Sequence, residues 1–302
     1  MMTIMSYHDP VLLFESVDGL GIKPDGVYVD VTFGGGGHSR EILKHLGPKG
    51  RLFSFDQDKD AIKNEIDDSR FTLIPENFKL IKSFLRFHGV RSVDGILADL
   101  GVSSHQFDST ERGFSTRFDA DLDMRMNTSD ALSAYEVIND YEQEALSRVL
   151  FQYGELRNSR ALAKEIVIAR QEKPIRTSFQ LKEVLKKYLP KSKEHKILAQ
   201  IFQAIRIEVN EEIQVLKEFL MQTPELLNEK GRLSVISYHS LEDRLVKRFM
   251  QFGIFEGEPE KDFYGNVTVP LKKVGKLIIP SVQEIKINNR ARSAKLRIAE
   301  KI

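Results

Sequence analysis

Short apolar runs alternate along this chain with segments whose apolar positions recur at helical spacing. Residues 28–31 read as a β-branched strand, and residues 38–46 read as the helix that follows it. Gly34, Gly35, Gly36 and Gly37 stand between them; four residues without Cβ allow a sharp turn and let a ligand lie against main-chain N–H groups. Residues 51–56 form a second strand pattern ending in Asp56, with a helix expected near 60–66. Residues 71–75 suggest a third strand and 78–87 a helix with an aromatic face. The apolar run 93–101 is a fourth strand, closed by Asp99. This alternation predicts a parallel, doubly wound α/β sheet. Ahead of it, Leu13 and Val17 share a helical face, Pro10 suits a first turn, and His8 with Asp9 reads as an ordinary cap.

The rhythm breaks after the fourth strand. Residues 102–130 are polar and loop-like, and the chain is then helical in pattern to about 207. Ser133 with Glu136, and Thr177 with Gln180, have capping-box spacing, while Gly154 and Pro174 mark helix ends. The α/β pattern resumes with a helix over 213–227, a strand over 232–238 and a helix opening at Ser240 with Asp243. Residues 281–287 and 294–299 show period-2 strand patterns joined by an arginine-rich link. The expected organisation is one α/β domain from 1–106 and 208–302, holding an inserted, mainly helical subdomain at 107–207.

Composition narrows this picture. A chain of 302 residues with 41% hydrophobic and 29% charged residues has enough apolar sequence for a sizeable core. The net charge of +1 carries no global nucleic-acid signature, so any basic surface must be local. One candidate is the run Lys182, Lys186, Lys187, Lys191, Lys193 and Lys196, which is a solvated helix face by default and an RNA-phosphate surface on the sharper reading. Arg290, Arg292, Lys295 and Arg297 pose the same choice between flanking an edge strand and touching RNA. No apolar run is long enough to span a bilayer and no signal-peptide core precedes the first strand, so a cytoplasmic protein without a membrane partner is expected. The absence of cysteine removes disulfides, thiolate metal sites and every mechanism that needs a cysteine nucleophile. No metal site is expected.

The glycine corner then has to be assigned a ligand. A phosphate-binding loop would end in Gly-Lys-Ser/Thr, whereas these glycines run into His38 and Ser39. The dinucleotide fingerprint is incomplete, because its third glycine falls on Ser39 or Arg40; a pyrophosphate cofactor stays open but has little support. Asp30 within the first strand, the glycines, and Asp56 about twenty residues on suit S-adenosylmethionine, whose ribose hydroxyls an acid at that strand end can accept. Asp99 ends the fourth strand beside the same crevice.

The residues 30–39 (Asp-Val-Thr-Phe-Gly-Gly-Gly-Gly-His-Ser) closely resemble the first motif of the bacterial small-subunit ribosomal RNA (cytosine-N4)-methyltransferase H family. The resemblance continues through 99–104, 111–115, 122–126, 202–210, 239–244 and 290–293, so it spans nearly the whole chain. It departs at His105, Asp121 and Asn289, where the family pattern usually has proline, and at 156–158. It implies a class I S-adenosylmethionine-dependent methyltransferase, a Rossmann-like doubly wound sheet, whose helical insert helps to engage substrate. The implied reaction methylates the exocyclic N4 of a cytidine in the decoding region of 16S rRNA, within a 30S particle. By the same resemblance Gly36, Gly37, His38, Asp56, Phe78, Asp99 and Gln106 are the cofactor-contacting positions; Phe78 could otherwise be plain core.

Cytosine N4 is a poor nucleophile, since its lone pair is delocalised into the ring. An acceptor for the N4 proton would sharpen it, and Asp99 is the candidate catalytic group, with cofactor binding alone as the competing role. C5 methylation generally needs a cysteine adduct, which this chain cannot form. Amino-group DNA methyltransferases typically carry Pro-Pro-aromatic after the acid, where this chain has Leu100, Gly101 and Val102. A non-catalytic RNA-binding or ribosome-assembly protein retaining the fold is the alternative. Monomer and homodimer are both open.

Overall fold

The computed structural model describes residues 10–259, 263–264, 267 and 269–302; the cap expected of His8 and Asp9 lies outside them. The chain divides into two compact units, Met1–Gly101 with Ile213–Ile302, and Val102–Glu212. Among the described residues the first holds seven strands: β1 (Val27–Asp30), β2 (Arg51–Phe55), β3 (Phe71–Ile74), β4 (Val93–Asp99), β5 (Leu227–Ser237), β6 (Leu271–Ile278) and β7 (Lys295–Lys301). They form one sheet in the order β3-β2-β1-β4-β5-β7-β6. The first five strands run parallel, and β7 is antiparallel to both β5 and β6.

Helix α1 (Leu13–Asp18) precedes β1, and α2 (Gly37–His45), α3 (Lys59–Ile62) and α4 (Ile81–Phe87) follow β1, β2 and β3. The second unit carries α5 (Ser104–Asp108), α6 (Ala134–Asn139), α7 (Gln143–Gln152), α8 (Ser159–Glu172), α9 (Ser178–Leu185) and α10 (Glu194–Val209). The chain then returns through α11 (Glu212–Leu226), α12 (Ser240–Phe252) and α13 (Val282–Ile287).

Strand alternation explains why the sheet is covered on both faces. Val29, Phe53, Phe55, Ile96 and Ala98 join one core with Ile81 and Leu85 of α4, Phe219 and Leu220 of α11, and Val246 and Phe249 of α12. The residues between them, Tyr28, Leu52 and Leu97, join a second core with Val17 of α1 and Ile42 and Leu43 of α2. Successive residues of a strand point to opposite faces, so apolar side chains at every position feed two layers. Each fully buried Leu, Ile or Phe contributes roughly 1.5–3 kcal/mol, which fixes the sheet and with it the strand ends.

The second unit has its own core, with Leu146 and Leu150 of α7, Leu162 and Ile166 of α8, Leu181 and Leu185 of α9, and Leu198, Ile201 and Ile205 of α10. These are i, i+3 and i, i+4 stripes, as an amphipathic helix requires. The capping boxes Ser133–Glu136 and Thr177–Gln180 are both formed, and α7 and α8 end beside Gly154 and Pro174. The compact unit begins at Val102 and ends at Glu212, where the sequence pattern drew 107–207. The short helix α5 hides in the polar stretch, and α10 continues past Ile207 to Val209.

Four local expectations change. Phe78 opens a 3₁₀ turn over Phe78–Leu80, and α4 begins only at Ile81. The helix near 60–66 is one turn, Lys59–Ile62, capped by Asp58. Residues 281–287 are not a strand: Ser281 accepts a hydrogen bond from the Glu284 N–H and caps α13, since six residues are too few to separate a period of 2 from one of 3.6. The edge strand is β6, so β7, which carries Lys295 and Arg297, is internal.

Candidate functional site

β1 sits between β2 and β4. The chain leaves β1 toward β2 and β3 on one side and returns through β4 on the other, which makes a topological switch point. In such sheets ligands bind outside the carboxyl ends of the strands at that point. Asp30 and Asp99 end β1 and β4, and Asp56 follows β2 directly.

The glycine turn is shaped by two left-handed residues, Gly34 (φ 51°) and Gly36 (φ 75°). Gly36 is the N-cap of α2 and no side chain caps that end, so it presents first-turn N–H groups to a ligand. Gly37 has a different reason for lacking a Cβ: the Pro10 ring occupies the place where one would stand. Pro10 is thus a packing partner of the turn and not the first turn of a helix.

Asp56 ties the turn to β2. Its Oδ2 accepts the Gly34 N–H at 2.8 Å and its Oδ1 accepts the Asp58 N–H at 2.8 Å. Burial pushes its carboxyl up to about 6, against those two backbone hydrogen bonds, with the charges of Asp58 and Asp30 adding to the rise. From the other side Asn64 donates to the Gly34 carbonyl at 3.0 Å, and Arg40 donates to the Gly35 carbonyl at 2.5 Å. Sequence reasoning missed both Asn64 and Arg40.

Asp30 works inside the corner. It is fully buried, and Ser39 donates to its Oδ2 at 2.6 Å. The Thr32 N–H and hydroxyl donate to its Oδ1 at 3.1 and 3.3 Å. Ser39 also lies 2.8 Å from Ser54 of β2, and the Asp99 N–H donates to Thr32 Oγ1 at 2.7 Å. Asp30 therefore braces three strand ends against the turn, with both of its oxygens taken up inside the protein.

Asp99 is anchored by the residue that sequence reasoning passed over as a strand end. The Tyr238 hydroxyl, just beyond β5, donates to Asp99 Oδ1 at 2.7 Å. On the other side His38 Nδ1 stands 3.8 Å from Asp99 Oδ2. His38 Nε2 is 3.3 Å from the Val11 carbonyl, which can only accept, so that nitrogen carries the proton in this hydrogen bond. Burial pushes Asp99 up to about 6; the His38 charge and the Tyr238 hydrogen bond oppose it, while Asp30 and Glu242 reinforce it.

The remaining positions are placed as follows. Phe78 is half-buried, edge-on to Phe219 with ring centres 5.3 Å apart. Its neighbour Asn77 donates to Gln57, next to Asp56, at 2.7 Å, which draws the loop after β3 toward the loop after β2. The structure so gathers Gly36, Gly37, His38, Asp56, Phe78 and Asp99 on one rim of the first unit. Gln106 belongs to the second unit, where it closes a capping box with Ser103 at the start of α5. The helix expected to open at Ser240 with Asp243 is instead capped by His239 in a capping box with Glu242. Asp243 holds Lys295 at 3.1 Å and Arg297 at 2.7 Å, and these two cations hold its carboxyl below the usual carboxylate range. In the second unit Lys182, Lys186 and Lys187 pair with Glu194, Glu183 and Glu165.

This rim fits S-adenosylmethionine. The open α2 N-terminus and the Cβ-free turn offer the N–H donors and the room that its amino-acid portion would need. Each Asp56 oxygen has accepted one N–H and retains a lone pair for a ribose hydroxyl.

The model of the MraW methylase family matches residues 5–302. A ribosomal RNA small subunit methyltransferase H from Flavobacterium johnsoniae is 69% identical over 302 residues, covering 100% of both chains. One from Cytophaga hutchinsonii is 58% identical over 297 residues, covering 98% of this chain and 99% of that one. Among solved structures, a putative rRNA-methylase from Clostridium thermocellum aligns over 97% of this chain and 98% of its own, at 15% identity and a TM-score of 0.45.

Proposed function

The chain belongs to the MraW methylase family, and on that premise we propose that its strand-end rim seats S-adenosylmethionine and presents the methyl group to a cytidine held against Asp99. The protein is an S-adenosylmethionine-dependent methyltransferase of small-subunit ribosomal RNA; in this reading its target is the exocyclic N4 of a cytidine in the decoding region of 16S rRNA, and its fold is class I. The observation that carries the placement is Asp99 at the switch point, one oxygen held by Tyr238 and the other turned to the rim beside the glycine turn.

In this reading Gly36, Gly37 and His38 hold the methionine portion, Asp56 the ribose, and Phe78 packs beside the adenine. The cofactor, when bound, supplies an electrophilic methyl group on sulfur. The protein's own share is to hold N4 at near-attack distance and to accept its proton at Asp99. The target base has to leave its stack to reach the rim. The helical unit, Val102–Glu212, engages the surrounding rRNA. The substrate is the rRNA within a 30S particle, in the cytoplasm. Among the described residues no helix is long and apolar enough to cross a membrane.

Incubation with methyl-labelled S-adenosylmethionine and either 30S particles or free 16S rRNA, followed by mass spectrometry of the nucleosides, tests this. Label in N4-methylcytidine, greater with 30S particles, is expected. Donor binding without transfer would instead support the non-catalytic assembly role, and label at C5 would overturn the proposed chemistry. Gel filtration of the same preparation separates monomer from homodimer.

A further inference from the structure

We propose that Tyr238 is a positioning residue for methyl transfer: its hydroxyl holds Asp99 Oδ1 so that Oδ2 alone faces the acceptor amine. This rests on reading Asp99 as the acceptor of the N4 proton.

The geometry fixes Asp99 at three points. Its N–H donates to Thr32 Oγ1 at 2.7 Å, and the next residue, Leu100, donates its N–H to the Ile236 carbonyl at 3.0 Å. Asp99 pairs with Ile236 across β4 and β5, which places Tyr238 just past the end of that register. Its hydroxyl then reaches Oδ1 at 2.7 Å, a charge-assisted distance. Oδ2 is left 3.8 Å from His38 Nδ1, too far for a hydrogen bond, and the side chain is 22% exposed. Oδ1 already accepts the Tyr238 hydroxyl and keeps one lone pair, whereas Oδ2 keeps both, so Oδ2 has the greater capacity for a new donor.

Tyr238 is itself held at both ends. Its N–H donates to Glu242 Oε2 at 2.8 Å, and Glu242 is buried at the start of α12. Gly101, at φ 95°, lies beside the ring, where a Cβ would stand in ordinary van der Waals contact with Tyr238 Cδ2 at 3.6 Å. The phenol also packs on the apolar cluster containing Ile236, Leu296 and Ile298. A hydroxyl delivered by so constrained a ring can choose one Asp99 rotamer.

The step balances without another reactant. The N4 lone pair forms the bond to the methyl carbon as the carbon–sulfur pair withdraws to sulfur. The N4–H pair returns to nitrogen and its proton passes to Oδ2. This requires Asp99 to be ionised beforehand. The groups facing it are His38 from α2, Tyr238 after β5, Asp30 at the end of β1 and Glu242 on α12. His38 and Tyr238 favour the carboxylate, whereas burial and the two acids favour the protonated form. Removing the Tyr238 hydroxyl therefore shifts the balance toward protonation.

The test compares the full-length wild type with Tyr238→Phe and Asp99→Asn, using S-adenosylmethionine and 30S particles from pH 5 to 9. Tyr238→Phe keeps the ring and its packing. Its kcat should fall about 10–100-fold near pH 6, and the acid limb of kcat/KM should move to higher pH. KM for the donor and the thermal midpoint should stay near wild type, and raising the pH should restore part of the rate. An unchanged kcat and acid limb would overturn the inference, as would a rise in donor KM alone. Asp99→Asn separates the two layers. If it is inactive while Tyr238→Phe behaves as wild type, the inference about Tyr238 fails alone. If Asp99→Asn turns over normally, the underlying reading of Asp99 fails.

Discussion

At the strand ends, Asp30 lies fully buried between Thr32 and Ser39, and its two oxygens fix a glycine turn and three strands. In the helical unit, Lys186 and Glu183 meet with 73% and 71% of their side chains exposed. Similar residue types do opposite kinds of work. A buried acceptor that loses its donor carries the full cost of desolvation, whereas an exposed pair exchanges its partner for water. The strand-end rim is consequently rigid and intolerant, as a site that must hold a methyl carbon in line with a nucleophile has to be. The helical unit draws its stability from its own apolar core, and its surface charges can change with little effect on the fold.

Substitutions can break this contrast. The largest effect is expected at Gly37, where Gly37→Val drives a branched side chain into Pro10. Donor binding should drop below detection by calorimetry, and stability should fall by about 1–3 kcal/mol. Retained donor affinity would show that the turn yields, contrary to the rigidity argued for it.

Asp56→Asn should weaken donor affinity about 10–100-fold while the fold survives, because the amide oxygen can replace only one of the two carboxylate acceptors. The wild type should also show a pH signature. Burial raises Asp56 to about 6, so its carboxylate is lost as the pH falls through that value, and donor affinity should fall with it. The sign reverses for the donor-free protein. There the raised Asp56 and Asp99 bind protons more tightly folded than unfolded, so these two groups add stability as the pH falls from about 6 toward 4. Titration calorimetry across pH 5 to 8 checks the first effect; for Asp56→Asn the slope should flatten.

Ser39→Ala leaves Asp30 Oδ2 without its 2.6 Å donor. Urea unfolding should report a loss of about 1–3 kcal/mol. The smallest effect belongs to the helical unit: Lys187→Ala, which removes the pair with Glu165, should change stability by less than about 1 kcal/mol. A loss as large as that of Ser39→Ala would erase the distinction between the two regions.

Much of the rim was legible in the sequence, because its signals are local. The glycine run, the acids closing 51–56 and 93–101, and the capping-box spacings all lie within a few residues of what they control. Tyr238 was not legible as a partner of Asp99, since the two lie 139 residues apart with the whole second unit between them, and only the parallel pairing of β4 with β5 brings those strand ends side by side. Asp30 resembled a ligand-facing acid because burial is invisible in a strand pattern shared by both faces. β6 escaped notice because Lys272, Lys273, Gly275 and Lys276 break its alternation, as charged edge strands commonly do. The structural role of Gln106 was readable after all: Ser103 three residues before it is a capping-box spacing.

The most direct test of the rim as the seat of chemistry sets the wild type beside Asp99→Asn in single-turnover transfer to 30S particles, with donor affinity measured on the same preparations. Wild type should place label in N4-methylcytidine, and Asp99→Asn should still bind the donor while transferring about 10²–10⁴-fold more slowly. Transfer by Asp99→Asn at the wild-type rate would contradict the assignment of the N4 proton to this carboxylate.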